Sequence, residues 1–297
     1  MRLIAALTTL LLAFSTGVNA QENAYDTFAV TDNESTQTID YAPINRFLST
    51  YSREERKRTA IYYDAMQGAG EEFLTSVLTF FESVDPRSLN RNEQLAYWLN
   101  LRNLLVIQDF AGNGPKSIAS ERGSPTDPGS SWTKKRITLA GVSISIHDIE
   151  TKILNQHWEN PDIIYGLYQG SQGGAPLPRE MFQGPSTKKQ LRTLGQTYVN
   201  TNKILRIRKN SVTAPAIYSW YKADYFNDDD TIVQAHLAAL TIKSDAKKDI
   251  SEAKSVKYSD FNYRSDASEP RRVSSPRQSN RSLPSSGAGT RGGGVGS

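Results

Sequence analysis

Apolar residues between Glu72 and Val84 fall at Phe73, Val77, Phe80, Phe81 and Val84, the spacing of one helix face, and Asp85-Pro86 ends the run. From Asn92 to Phe110 the pattern changes. Leu95, Ala96, Tyr97, Trp98, Leu99, Leu101, Leu104, Leu105, Val106 and Ile107 cover nearly every side, which predicts a helix buried all round. Two further helices are expected where Ser186 precedes Leu191, Leu194 and Tyr198, and where Asp230 precedes Ile232, Val233, His236, Leu237 and Leu240. Strand signals are fewer. Arg136–Leu139 and Val142–Ile146 alternate around Ala140-Gly141 as a hairpin that faces Ile137 and Leu139 toward Val142, Ile144 and Ile146. A second pair runs from Ile204 to Arg208 and from Val212 to Ala214. The sum is an α+β fold, a helix-rich single domain with a small antiparallel β-hairpin element, over residues 25–263.

The ends read differently. Residues 1–20 combine Arg2, an apolar run from Leu3 to Phe14 and Val18-Asn19-Ala20, the form of a cleaved signal peptide. That run is too short to span about 30 Å of hydrocarbon. The expectation is an exported protein, periplasmic or secreted, with no transmembrane segment after cleavage. Residues 265–297 hold nine Ser, six Gly, three Pro and five Arg and offer little to bury, so a disordered tail is expected there. Gly112–Ser131 is a long connection without periodicity, a functional flap or an insertion.

Charge and cysteine narrow the chemistry. The formal charge of +4 comes from Arg2 and the tail; residues 21–264 carry 29 basic and 29 acidic side chains. A neutral body gives no support for specific nucleic-acid binding, and the tail at most allows weak contact with an anionic surface. With no cysteine, thiolate metal sites, disulfides and cysteine nucleophiles are excluded. Three histidines leave little for a metal site; no metal and no cofactor are expected.

Asn100 and Asn103, at i and i+3 on the apolar helix, must both find partners in the interior, by clamping a loop or by lining a ligand pocket. In Tyr165–Pro178, Gly166, Gly170, Gly173 and Gly174 permit close backbone approach, as in an anion-cradling loop. Gln169-Gly170-Ser171-Gln172-Gly173 misses the nucleophile-elbow pattern by one glycine, and Ser171 would need a base from His147, His157 or His236. His147-Asp148-Ile149-Glu150 opens a helix that Ser145 can cap, and His147 with Glu150 could also activate water. Asn227–Asp230 lacks the ligand spacing of a calcium loop and is expected to be a turn and helix cap.

In order along the chain stand Tyr41-Ala42-Pro43-Ile44, Tyr62-Tyr63-Asp64, Glu93–Asn103, the hairpin leading into Asp148-Ile149-Glu150, and Ile217–Phe226. Together they resemble the family known as domain of unknown function 547, over roughly residues 41–263. The resemblance implies one α+β domain and names no activity. It also implies a histidine and two cysteines where this chain has Ile164, Gln169 and Gly174, and a tyrosine where it has Arg102. The chain is therefore similar to a cysteine-free branch in which thiol chemistry cannot operate.

The leading expectation is a non-catalytic binding domain of the periplasm or envelope, taking a small molecule, peptide or envelope ligand near Asn100, Asn103, Gly170, Gly173 and Gly174. One alternative is a hydrolase using Ser171 or the pair His147 and Glu150. The other is a structural or tethering protein acting through its basic tail.

Overall fold

The computed structural model describes residues 24–55, 58–113, 123–201 and 204–267. The expected signal peptide, residues 268–297 of the expected tail and residues 114–122 of the long connection lie outside the described residues.

Helix α1 (Ala42–Tyr51) carries Pro43 in its first turn, where a missing N–H costs nothing, and runs straight into an antiparallel hairpin. Its strands, β1 (Ser52–Glu55) and β2 (Arg58–Ile61), pair from Ser52 with Ile61 to Glu55 with Arg58. This hairpin has no period-2 apolar signal and sequence reasoning missed it. Helix α2 (Ala69–Ser83) buries Leu74, Val77, Leu78 and Phe81. The inward face expected here included Phe73 and Phe80. Phe80 is instead 45% exposed, because the i, i+3, i+4, i+7 stripe through Leu74 points it outward.

Helix α3 (Arg91–Asn113) is the axis of the protein. Every side chain from Glu93 to Ile107 is buried, and the helix lies within one apolar cluster that stretches from Tyr25 to Ile250. Phe81 and Tyr97 pack at 5.1 Å between ring centroids, and Tyr97 donates to the Phe81 carbonyl at 2.8 Å.

After the long connection come β3 (Lys135–Leu139) and β4 (Val142–Ser145), paired with Ile137 opposite Ile144 and Leu139 opposite Val142. Ala140 and Gly141, at φ +48° and +79°, make the turn. Ser145 then caps α4, a helical run in three pieces, Ile146–Asp148, a π-helical Ile149–Leu154 and Asn155–His157. Ser145 and Asp148 form a reciprocal capping box, with bonds of 3.1 and 2.7 Å. Helix α5 (Thr187–Asn200) starts after Ser186 as expected, but Ser186 makes no side-chain cap. Its hydroxyl donates to Gln190 and to the Gln183 carbonyl.

The C-terminal part holds β5 (Arg206–Arg208), β6 (Ser211–Ala214), α6 (Ala216–Trp220), α7 (Lys222–Phe226), α8 (Asp230–Leu240), α9 (Ser244–Ser251) and β7 (Ser255–Tyr258). The expected hairpin β5–β6 gains a third strand, because β7 returns parallel to β6. Asp229, not Asp230, caps α8, accepting from the Thr231 amide at 2.7 Å; Asp230 is the first helical residue and pairs with Lys222. The packed chain continues past the expected boundary near residue 263. Ser265 bridges Ser171, and Asp266 is buried. Among the described residues no helix is long and apolar enough to cross a membrane. Among the described residues the architecture is helix-rich α+β, with three two-stranded pairs, one of them the short Gly123–Ser124 with Asp127–Pro128, and one three-stranded sheet.

Candidate functional site

The polar side chains of α3 emerge from an otherwise apolar helix and hold loops. Glu93 accepts from the amides of Ile39 and Gly184 at 3.1 and 3.2 Å. Asn100 exchanges two bonds of 2.9 Å with the backbone of Phe182. Asn103 donates to the Gly166 carbonyl at 2.8 Å and accepts from the Tyr168 amide at 3.0 Å. Both amides thus clamp backbone, which satisfies groups that would each cost about 1–3 kcal/mol if left bare.

Arg102, between them, is fully buried and faces α4. Its Nε donates to Glu150 Oε1 at 2.8 Å, Nη2 also pairs with that carboxylate, and Nη1 donates to Asn103 Oδ1 at 3.0 Å and to the Tyr168 carbonyl. Tyr221 donates to the other Glu150 oxygen at 3.1 Å, and Trp132 Nε1 lies 3.4 Å from the first. Glu150, a candidate orienter of a base, is therefore the counter-ion of Arg102. His147, one turn earlier, places Nε2 3.0 Å from the Pro125 carbonyl.

Gln169 connects this network to the glycine loop, with Oε1 3.3 Å from Arg102 Nη2 and Nε2 3.5 Å from the Tyr221 hydroxyl. A Cβ on Gly174 would fall 2.5 Å from the Gln169 Cβ. The two positions that the resemblance gives to cysteines are thus neighbours in space, beside the ion pair.

The loop itself is closed by the chain's own C-terminal segment. Gln172 donates its amide to Arg264 at 2.8 Å, Gly173 to Asn262 at 2.9 Å, and Asp266 donates back to Gly170 at 3.2 Å. Gly170, at φ +63°, has the Phe110 ring 2.3 Å from where a Cβ would stand, and Gly173 has the Asn262 amide at 2.6 Å from its own. Ser171 is buried, its hydroxyl 3.3 Å from the Gln169 carbonyl. Asp266 anchors the segment, accepting from Tyr168 at 2.8 Å and from Arg58 at 3.4 Å; Arg58 also donates to the carbonyls of Ser171 and Gly174. Burial raises the Asp266 carboxyl above the ordinary range despite Arg58 and Tyr168, and burial with Asp266 beside it pushes Tyr168 upward.

The remaining histidines are placed elsewhere. His157 puts Nε2 3.4 Å from the Tyr25 carbonyl. His236 stacks on Tyr165 at 6.0 Å with Tyr218 and Phe226 around it, and desolvation lowers it to about 4. Among the described residues no group of three or more His, Asp or Glu is placed to hold a metal ion.

Outside this interior lies a cleft of about 810 Å³. Arg53, Glu55 and Arg58 of the β1–β2 hairpin line it together with Gln172 and Gly173 of the glycine loop, Arg206, and residues from Ser259 to Ala267. Of the expected site residues only Gly173 reaches it. Arg58 and Asp266 were missed because one sits in a charged run and the other in what reads as tail. Arg102 had a signal: a cation in a helix apolar on all sides requires a buried acid.

The family DUF547, described as a protein of unknown function, matches the chain over residues 86–199. The match is narrower than the range of the resemblance, and it takes in α3, β3, β4, α4, the glycine loop and α5. The Arg102–Glu150 pair lies inside the matched residues, whereas the cleft is shared: Gln172 and Gly173 fall within them and the other lining residues come from before and after. No curated protein matches the chain, and no solved structure does.

Proposed function

We propose that the chain is an exported, non-catalytic binding domain of the periplasm or cell envelope, and that its ligand site is the cleft above Gln172 and Gly173. One observation carries the reading. The candidate catalytic groups are taken up in structural bonds, Glu150 by Arg102, His147 at the Pro125 carbonyl and Ser171 beside the Gln169 carbonyl, while an open polar cleft adjoins the glycine loop. Cations and acids both line it, which suits a polar ligand bearing both charges, such as a short envelope peptide. The apolar run Leu3–Phe14 before Val18-Asn19-Ala20 supports export.

The test is melting of the purified chain with a panel of peptidoglycan-derived muropeptides, followed by mass spectrometry of the recovered ligands. A rise in melting temperature with at least one muropeptide, lost in Arg53→Gln, and ligands recovered intact, is the expected result. No shift with any of them counts against the cleft; cleaved ligands, with cleavage lost in Ser171→Ala or His147→Ala, would replace the reading with hydrolysis.

A further inference from the structure

The neutral charge of the body conceals a local imbalance. From Met181 to Ala223 the chain has eight Lys and Arg and no Asp or Glu. Two of these cations are matched, Arg192 by Asp162 at 3.4 Å and Lys222 by Asp230 at 2.7 Å. The sheet β5–β6–β7 gathers others on one face.

Arg206 stands opposite Thr213, which stands opposite Lys257; Arg208 stands opposite Ser211, which stands opposite Ser255. Register partners project to the same side of a sheet, so these six residues share a face. Burial agrees: Arg206, Arg208, Ser255 and Lys257 are exposed, whereas Val212 on the other face is buried and Ile207 and Val256 pack against the core. The three strands contain no acidic residue, and among the described residues Arg206, Arg208 and Lys257 have no ion-pair partner. At one end Lys254 donates its amide to Asn210 at 3.0 Å, which places exposed Lys254 next to the Lys209-Asn210 turn. Like charges across a small sheet repel, and the strands themselves carry no acid to offset them.

We propose that this sheet face docks on an anionic phospholipid bilayer. The face alternates cations with hydroxyls, a set that binds phosphodiester headgroups by charge-assisted hydrogen bonds. Residues two apart on a strand are about 7 Å apart and neighbouring strands about 5 Å, so the cations present a two-dimensional array to a planar surface. No aromatic side chain lies among the six to stack a nucleobase, which disfavours single-stranded nucleic acid. Continuity adds to the argument. Ala267 lines the same cleft as Arg206, and the five arginines between residues 271 and 291 follow it with the same sign.

The experiment is co-sedimentation of the full chain with phosphatidylcholine vesicles, with and without phosphatidylglycerol, at low and high salt. Arg208→Gln/Lys257→Gln is the test variant; Arg206 is kept because it borders the cleft. Expected is salt-sensitive binding to the anionic vesicles only, weakened about fivefold per cation removed and so roughly 25-fold in the pair. Arg208→Lys/Lys257→Arg retains it. Three results would overturn the proposal: equal binding by wild type and the glutamine pair, complete loss on replacing only the five tail arginines by glutamine, or a defect of the pair on an oligonucleotide with none on vesicles.

Discussion

A guanidinium shielded from water is tenable only when its charge and all its N–H groups are met, and Arg102 achieves this through Glu150, Asn103, Tyr168 and Gln169. Removing one partner strands the other. Arg102→Met is expected to cost about 3–5 kcal/mol in urea unfolding, and Arg102→Met/Glu150→Leu to recover most of it, because a buried pair exchanged for packed apolar groups is often near neutral. If the double variant is as weak as the single one, the Tyr168 and Asn103 bonds matter more than the charge. His236 makes a second residue-scale prediction. Its imidazole is held down at about 4 by desolvation and by Arg192, against 6.5 ordinarily, and Nε2 lies 3.4 Å from Asp162 without hydrogen-bond geometry. Between pH 6.5 and 4 the unfolded chain binds a proton that the folded one refuses, so stability falls as pH falls through that window, by an amount of the order of 3 kcal/mol. Asp162, raised chiefly by its own burial, works in the opposite sense. His236→Phe keeps the stack on Tyr165 and should flatten the fall in urea midpoint between pH 7 and 4.5 relative to wild type.

At the scale of elements, the segment Asn262–Ala267 behaves as a strap laid across the glycine loop. Its main-chain bonds require close approach at Gly173, where any Cβ meets the Asn262 amide, while the anchor is Asp266. Gly173→Val is expected to release the strap without unfolding α3, whose clamps on Gly166, Tyr168 and Phe182 lie deeper. The measurement is hydrogen exchange: the Gln172 amide, which donates to Arg264, should exchange at least tenfold faster while amides of Leu99–Val106 hardly change. Uniform acceleration would show instead that loop and core open together. Among elements, legibility followed periodicity. The helix around Leu95–Ile107 and the hairpin at Ala140-Gly141 were plain because burial and turn chemistry are written locally. The hairpin Ser52–Glu55 with Arg58–Ile61 was not, since its first strand is charged and its second, four residues long, shows no alternation, and β7 was not, since its pairing with β6 joins residues far apart in sequence.

For the whole molecule, the apolar core could be inferred from side-chain pattern, whereas the cleft could not. Its lining comes from Arg53, Glu55, Arg58, Ala60, Gln172, Gly173, Arg206 and residues between Ser259 and Ala267, and no local pattern relates these. The amides Asn100 and Asn103 were recognisable as buried, and their clamping role follows from the rule that interior amides seek backbone. Their neighbour Arg102 carried the stronger message. Net charge was informative about the ends and silent about the sheet face, because an average over the body cancels a basic stretch against acids placed elsewhere.

The bond between Arg58 and Asp266 spans 208 positions of sequence. A chain emerging in order from the ribosome can assemble α3 and its clamps long before residue 266 is available. The strap is then set after α3 and its clamps, and its closure waits until residue 266 has emerged. Until that moment the glycine loop's main-chain donors at Gln172 and Gly173 stand open to any extended segment that reaches them first, so a nascent or truncated chain is the form of this protein most exposed to pairing with a second copy of itself.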